Sequence, residues 1–198
     1  MSRSTSIATL LVAGLLVAAV PFTASAAPVL SIQPSVTSVQ VNDVFLLDVF
    51  IAGADDLFAF DVELTFDDAV VRALSLLPGT FLGSSPGVDV DDFSEFIDGP
   101  ELSGAQSRLV FPGVSGSGVL FSVRFKALAP GTTLVDFDVT CDQNDPFCTE
   151  LRNANDDPVA YDTESGVVHV ARRAVPEPAT ALLVAAGLAG VARRLRKR

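Results

Sequence analysis

From Phe58 the chain alternates with a period of two. Phe58, Phe60, Val62, Leu64 and Phe66 fall on one side, and Ala59, Asp61, Glu63, Thr65 and Asp67 on the other. That period predicts a half-buried β-strand. The same pattern returns at Val119, Phe121, Val123, Phe125 and Ala127, opposed by Leu120, Ser122, Arg124 and Lys126, and again at Val135, Phe137 and Val139 against Asp136 and Asp138. Val44 to Ala52 is more continuously apolar, as expected of a strand covered on both faces. Turn signals separate these runs: Gly53-Ala54-Asp55-Asp56, Leu77-Pro78-Gly79, Gly99-Pro100, Gly116-Ser117-Gly118 and Pro130-Gly131. Short strands with regular turn punctuation and no helical period between them predict an all-β, antiparallel β-sandwich. Fourteen phenylalanines and many valines supply its core without any tryptophan.

Two apolar runs near the ends do not alternate. Arg3, the run Ile7 to Val20 and the small-x-small triplet Ala24-Ser25-Ala26 have the layout of a secretory signal peptide cut after Ala26. At the other end, Val175-Pro176-Glu177-Pro178 precedes an uncharged run from Ala179 to Ala192, and the basic cluster Arg193, Arg194, Arg196, Lys197 and Arg198 follows. The prolines keep the approach extended. The basic cluster holds the cytoplasmic side of a membrane. Fourteen helical residues reach roughly 21 Å, short of the ~30 Å hydrocarbon core, so the segment suits brief rather than permanent anchoring. This tail resembles the PEP-CTERM sorting signals of Gram-negative bacteria. The resemblance implies recognition by a membrane-embedded protease, an exosortase, with cleavage near the Pro-Glu-Pro. The organisation expected is a signal peptide (1–26), a sandwich domain (27–171), a linker with the Pro-Glu-Pro motif (172–178), a short transmembrane helix (179–192) and a basic cytoplasmic tail (193–198). The chain is then exported, held transiently in the inner membrane, and delivered to the cell surface or extracellular matrix.

Setting the two signals aside sharpens the charge. Between residues 27 and 174 there are 23 acids against 7 basic residues, so the domain stands near −16 rather than the −11 of the whole chain. Such a surface repels nucleic acid and anionic lipid. Cys141 and Cys148 are the only cysteines and bracket a short polar stretch, which in an exported protein predicts a disulfide staple.

The strand series also resembles the cohesin domains. Val41-Asn42-Asp43-Val44-Phe45-Leu46-Leu47-Asp48-Val49 is similar to that family's opening V-x-x-G-D-x-F-x-V-x-V, with Asn42 in place of glycine. Leu57 to Asp67 is similar to L-x-A-F-x-x-x-L-x-Y-D, Gly118 to Ala127 to G-x-L-x-x-x-x-F-K-A, and Gly166 to Val170 to the closing G-x-V-x-V. The resemblance implies a nine-stranded jelly-roll sandwich that binds a protein through one sheet face. Asp61, Glu63, Thr65, Ser122 and Arg124 are the expected partner-facing residues.

Catalytic signals are weak. Gly83-Ser84-Ser85-Pro86-Gly87 fits G-x-S-x-G around Ser85, but Pro86 and Gly87 predict a loop where a nucleophile elbow needs a helix. Acidic pairs such as Asp67-Asp68 follow from composition, so no catalytic residue is assigned. No cofactor is assigned either, although Asp89, Asp91, Asp92, Asn155, Asp156 and Asp157 are dense enough in oxygen for calcium while departing from EF-hand spacing. Two functions are left. One is a non-catalytic surface adhesion or scaffold module that binds a surface protein. The alternative is an exopolysaccharide or biofilm-matrix component that binds glycan directly, with one tyrosine, Tyr161, and no tryptophan as aromatic platform.

Overall fold

The computed structural model of the chain describes residues 26–140 and 148–173. These residues form eleven strands: β1 (Val29–Gln33), β2 (Val36–Gln40), β3 (Val44–Thr65), β4 (Val71–Pro78), β5 (Ser94–Asp98), β6 (Glu101–Ser107), β7 (Val114–Ala127), β8 (Gly131–Phe137), β9 (Glu150–Asn153), β10 (Asp162–Glu164) and β11 (Gly166–Ala171). No helix occurs among the described residues. The expected signal peptide up to Ser25, the Val175-Pro176-Glu177-Pro178 motif, the transmembrane helix over 179–192 and the basic tail lie outside the described residues, while Ala26, the expected cleavage residue, is described and exposed.

β3 belongs to both layers. Its first half pairs antiparallel with β1 and β7. Its second half pairs with β6, β9 and the end of β8. β4 extends the first layer from β7, and β5 extends the second from β6. Phe60 and Phe66, on the second half of β3, stack on Phe121 (6.1 Å between ring centroids) and meet Phe125 edge-on (5.1 Å). β7 pairs with β3 from Val44 to Leu57 and not beyond, so these rings come from opposite layers and meet across the core. β11 pairs with β8 on one side and with β2 on the other, closing one flank. Leu47, Val49, Ile51, Val62, Leu64, Val123 and Phe125 lie within 1 % of full burial, and each such side chain contributes ~1.5–3 kcal/mol.

Several expected boundaries move. Eleven strands form where the resemblance implies nine: Pro34, which has no N–H to donate, parts β1 from β2, two short strands, β9 and β10, form in the polar region after Cys148, and β3 runs from Val44 to Thr65 as one strand. The turn expected at Gly53-Ala54-Asp55-Asp56 does not end a strand. Gly53 (φ +70) and Asp56 (φ +54) absorb a bend while β3 runs through. The turn expected at Gly116-Ser117-Gly118 likewise lies inside β7. Register shifts beside Leu57 turn Leu57 into the core (1 % exposed) and leave Phe58 half-buried outside it, stacked on Phe111 at 4.8 Å. On β7 the shift between Val49 and Phe50 opposite Phe121 and Val119 buries Leu120 as well as Phe121. Val139, expected inside, is 51 % exposed because β8 stops at Phe137.

Candidate functional site

The outer face of the layer built on β9, the second half of β3, β6 and β5 gathers carboxylates from four strands and the end of β8. Register sets its rows. Asp61 lies beside Ala105 on β6 and Glu150 on β9, and Thr65 lies between Glu101 on β6 and Asp136 on β8. Glu101 in turn faces Asp98 on β5. Strand alternation places all these side chains away from the core, because Leu102, Gly104 and Gln106 take the inward positions of β6.

Asp61 is half-buried, and burial followed by the nearby Glu150 charge pushes its carboxyl above the ordinary value. Glu150 is held by Arg152 at 2.8 Å, and Arg152 also reaches Asp156 at 3.1 Å. A cavity of about 230 Å³ opens between them, lined by Ala59, Phe60, Asp61, Glu150 and Arg152. Behind it the Tyr161 hydroxyl donates to the Thr149 carbonyl at 2.5 Å, and burial, then Glu150, raises its pKa. The hydroxyl and N–H of Thr140 hold the Asp138 carboxyl low at the edge of this face.

Two expected partner-facing residues do not belong with the others. Ser122 and Arg124 lie on β7, on the opposite outer surface of the sandwich. Ser122 Oγ donates to Asp48 Oδ1 at 2.5 Å, and Arg124 is exposed. Glu63 is on the acidic layer but only 7 % exposed. The chain at Thr149 lies over it: Glu63 N donates to Thr149 Oγ1 (3.1 Å), and Asp138 N donates to the Glu63 carbonyl (3.0 Å). Asp61 and Thr65 are therefore the two expected residues that line this surface. Asp98, Glu101, Asp136, Asp138 and Glu150 join them. Alternation already placed Asp136 and Asp138 outside, but no local signal assigned them to the same layer as Asp61.

Three of the calcium-candidate carboxylates, Asp89, Asp91 and Asp156, make local hydrogen bonds or ion pairs. Asp89 accepts from the N–H groups of Ser84 and Ser85. Desolvation raises its carboxyl, but those hydrogen bonds and the Arg108 charge outweigh this and hold it low. Asp91 accepts from Ser107 N and Oγ. Asp156 pairs with Arg152, and the N–H groups of Asn155 and Asp157 both donate to Asn153 Oδ1. Asp92 is exposed on the loop before β5. Among the described residues no group of three His, Cys, Asp or Glu side chains is placed to hold a metal ion. Ser85 sits in a loop, while His169 Nδ1 on β11 shares a hydrogen bond with Thr132 on β8. Cys148 is not a free thiol, and Cys141 lies outside the described residues.

Comparison with solved structures agrees with this geometry. A non-cellulosomal cohesin from the archaeon Archaeoglobus fulgidus superimposes with a TM-score of 0.59 at 16 % identity, over 74 % of this chain and 92 % of that one. The domain has the cohesin fold. A cohesin seen in the Coh-OlpC–Doc435 cohesin–dockerin complex from Clostridium thermocellum matches the fold equally well (0.59, 12 % identity, 76 % and 97 % covered). So does the cohesin CaCohA2 from Clostridium acetobutylicum (0.59, 16 %, 73 % and 90 %). Beyond the cohesin-fold domain, residues 174–197 match the PEP-CTERM protein-sorting motif. No curated protein is significantly similar to the chain.

Proposed function

We propose that this chain is an exported, non-catalytic binding module that holds a protein partner on the acidic outer face of the β9–β3–β6–β5 layer. The observation that carries the reading is the gathering of Asp61, Asp98, Glu101, Asp136, Asp138 and Glu150 on one sheet face, with Arg152 the basic residue among them. A partner with a basic, partly apolar surface complements that face and is steered to it electrostatically. The cohesin fold supports the reading, since the Clostridium thermocellum relative was solved in a cohesin–dockerin complex. The PEP-CTERM motif supports export to the surface after passage through the inner membrane, with an exosortase-type protease acting near Val175-Pro176-Glu177-Pro178. The proposed Cys141–Cys148 bridge staples the segment that follows β8.

Pull-down from surface and exopolysaccharide fractions tests the partner reading. Retention of a protein that is lost with Glu101→Lys and Asp136→Lys supports it, and no protein retained at micromolar bait counts against it. The 230 Å³ cavity between Asp61, Glu150 and Arg152 is polar enough to receive sugar hydroxyls, so glycan arrays with and without calcium run alongside. Saccharide-dependent retention without a protein would move the function to direct glycan binding.

A further inference from the structure

The opposite face of the sandwich has a different chemistry. A groove of about 490 Å³ lies on the β3–β7–β4 surface, lined by Val44, Phe45, Leu46, Leu77 and Arg124. Val44, Leu46 and Leu77 are 48 %, 51 % and 46 % exposed, so its apolar walls face solvent. Register brings Lys126 beside Val44 on one side and beside Arg72 on the other, and Arg124 beside Leu46. Three of the domain's seven basic residues thus rim one apolar groove in a domain near −16. Asp48, bonded to Ser122, is the carboxylate on the same surface.

The far end of the molecule carries the matching shape. Leu109, Val110 and Phe111 project from the β6–β7 loop at 50 %, 41 % and 72 % exposure. The loop is held in place. Phe111 stacks on Phe58, Gly113 N donates to Asp56 Oδ1 (2.9 Å), Leu109 N donates to the Asp89 carbonyl (2.9 Å), and Arg108 bonds the carbonyls of Leu82 and Val110. Asp55, Asp56 and Asp89 surround it, against Arg108. A preformed apolar tip ringed by carboxylates loses little freedom on docking.

We propose that the groove receives this tip from a second copy of the chain, Phe111 entering between Leu46 and Leu77 under the Arg124 guanidinium, which stacks on the ring. Leu57, beside the tip, and Leu46, in the groove, are eleven residues apart on β3, at most about 36 Å along a strand of ~3.3 Å per residue that bends at Gly53 and Asp56. One chain therefore cannot satisfy itself. The contact joins unlike patches, so it is heterologous, and each added copy leaves one tip and one groove free to take another until a rotation closes the series as a ring. The groove lies away from the acidic docking face, and the inference does not depend on which protein that face takes.

The test is sedimentation velocity of the full chain in detergent, one chain per micelle, over a dilution series. Wild type gives a concentration-dependent ladder that high salt weakens. Phe111→Asp and Arg124→Glu, both at exposed positions, each lower association about tenfold or more, as truncating a central anchor does. An equimolar mixture of the two forms one-to-one dimers that grow no further, because each chain keeps the patch the other lacks. That outcome also shows that both variants fold, and Phe111→Ala with Arg124→Ala repeats the mixture with gentler changes. A monomeric wild type at every concentration overturns the proposal, as do variants that associate like wild type or mixtures that stay monomeric in both pairs. Phe111-dependent binding to phosphatidylcholine vesicles without self-association would assign the tip to lipid instead, and also overturns it.

Discussion

Asp61 illustrates how far an outward position departs from an exposed one. Alternation puts it on the solvent side of β3, yet β9 pairs alongside and leaves it half-buried next to Glu150. Its carboxyl is raised above the ordinary 3.8, so the folded state binds that proton more tightly than the unfolded chain. Its contribution to stability is present below the unfolded pKa and is lost as pH rises through the folded value. Asp61→Asn is therefore expected to raise the melting temperature at pH 7, with the gain vanishing as pH falls below about 3.8; calorimetric melts from pH 3 to 8 read the difference. The aromatic pair beside the bend in β3 is a second local test. Phe111→Ala removes the 4.8 Å stack on Phe58 and is expected to lower stability by about 0.5–1.5 kcal/mol in denaturant titrations. The residues themselves show that Asp61 and Phe111 are polar and apolar. The half-burial of Asp61 and the stacking of Phe111 on Phe58 come from segments that meet at a distance in sequence, which no local pattern contains.

At the scale of elements, the exchange of inward and outward positions on β3 and β7 occurs at register shifts. Strict alternation places Val119 inside and Leu120 outside, whereas the bulge opposite Val49 and Phe50 makes Leu120 a core residue with 1 % exposure. A bulge sets two residues of one strand against one of its partner, so it shifts the phase of everything beyond it. Leu120→Ala is expected to cost about 2–5 kcal/mol by urea unfolding, and Val119→Ala clearly less; the reverse order would restore the unbulged strand. Gly79 depends on the same bulge. Its N–H donates to the Leu120 carbonyl at 2.8 Å, and a Cβ there would lie 2.1 Å from the Val119 carbonyl oxygen. Gly79→Ala is expected to lose about 1–3 kcal/mol and to loosen the end of β4, seen as faster amide exchange there. The period of two was legible in β3, β7 and β8. The bends were not, because Gly53 and Asp56 carry ordinary turn chemistry that here curves a strand instead of ending it.

For the whole molecule, the arrangement of charge matters more than its sum. A figure near −16 predicts uniform repulsion of anions, but Arg72, Arg124 and Lys126 collect on one surface while Asp61, Asp98, Glu101, Asp136, Asp138 and Glu150 collect on the other. Binding at the acidic face is accordingly expected to weaken steeply with ionic strength, mainly through the association rate, in surface-plasmon-resonance salt series with the partner recovered from pull-downs. Lysine substitution at Glu101 and Asp136 should flatten that dependence while leaving the melting temperature within a few degrees.

The amino-acid order by itself determined the strand class, the solvent-facing side of most strands, the domain's acidity and the tail that matches the PEP-CTERM motif, because these depend on short periods, composition and contiguous residues. Tertiary structure alone decided that Asp61 and Thr65 stand apart from Ser122 and Arg124, that Glu63 is covered, and that a basic apolar groove lies at the far end from an apolar tip. Those facts depend on which strands cross the core from one another. Pairings between residues as distant as Glu63 and Thr149 set them, and a strand's own sequence holds no record of its neighbours.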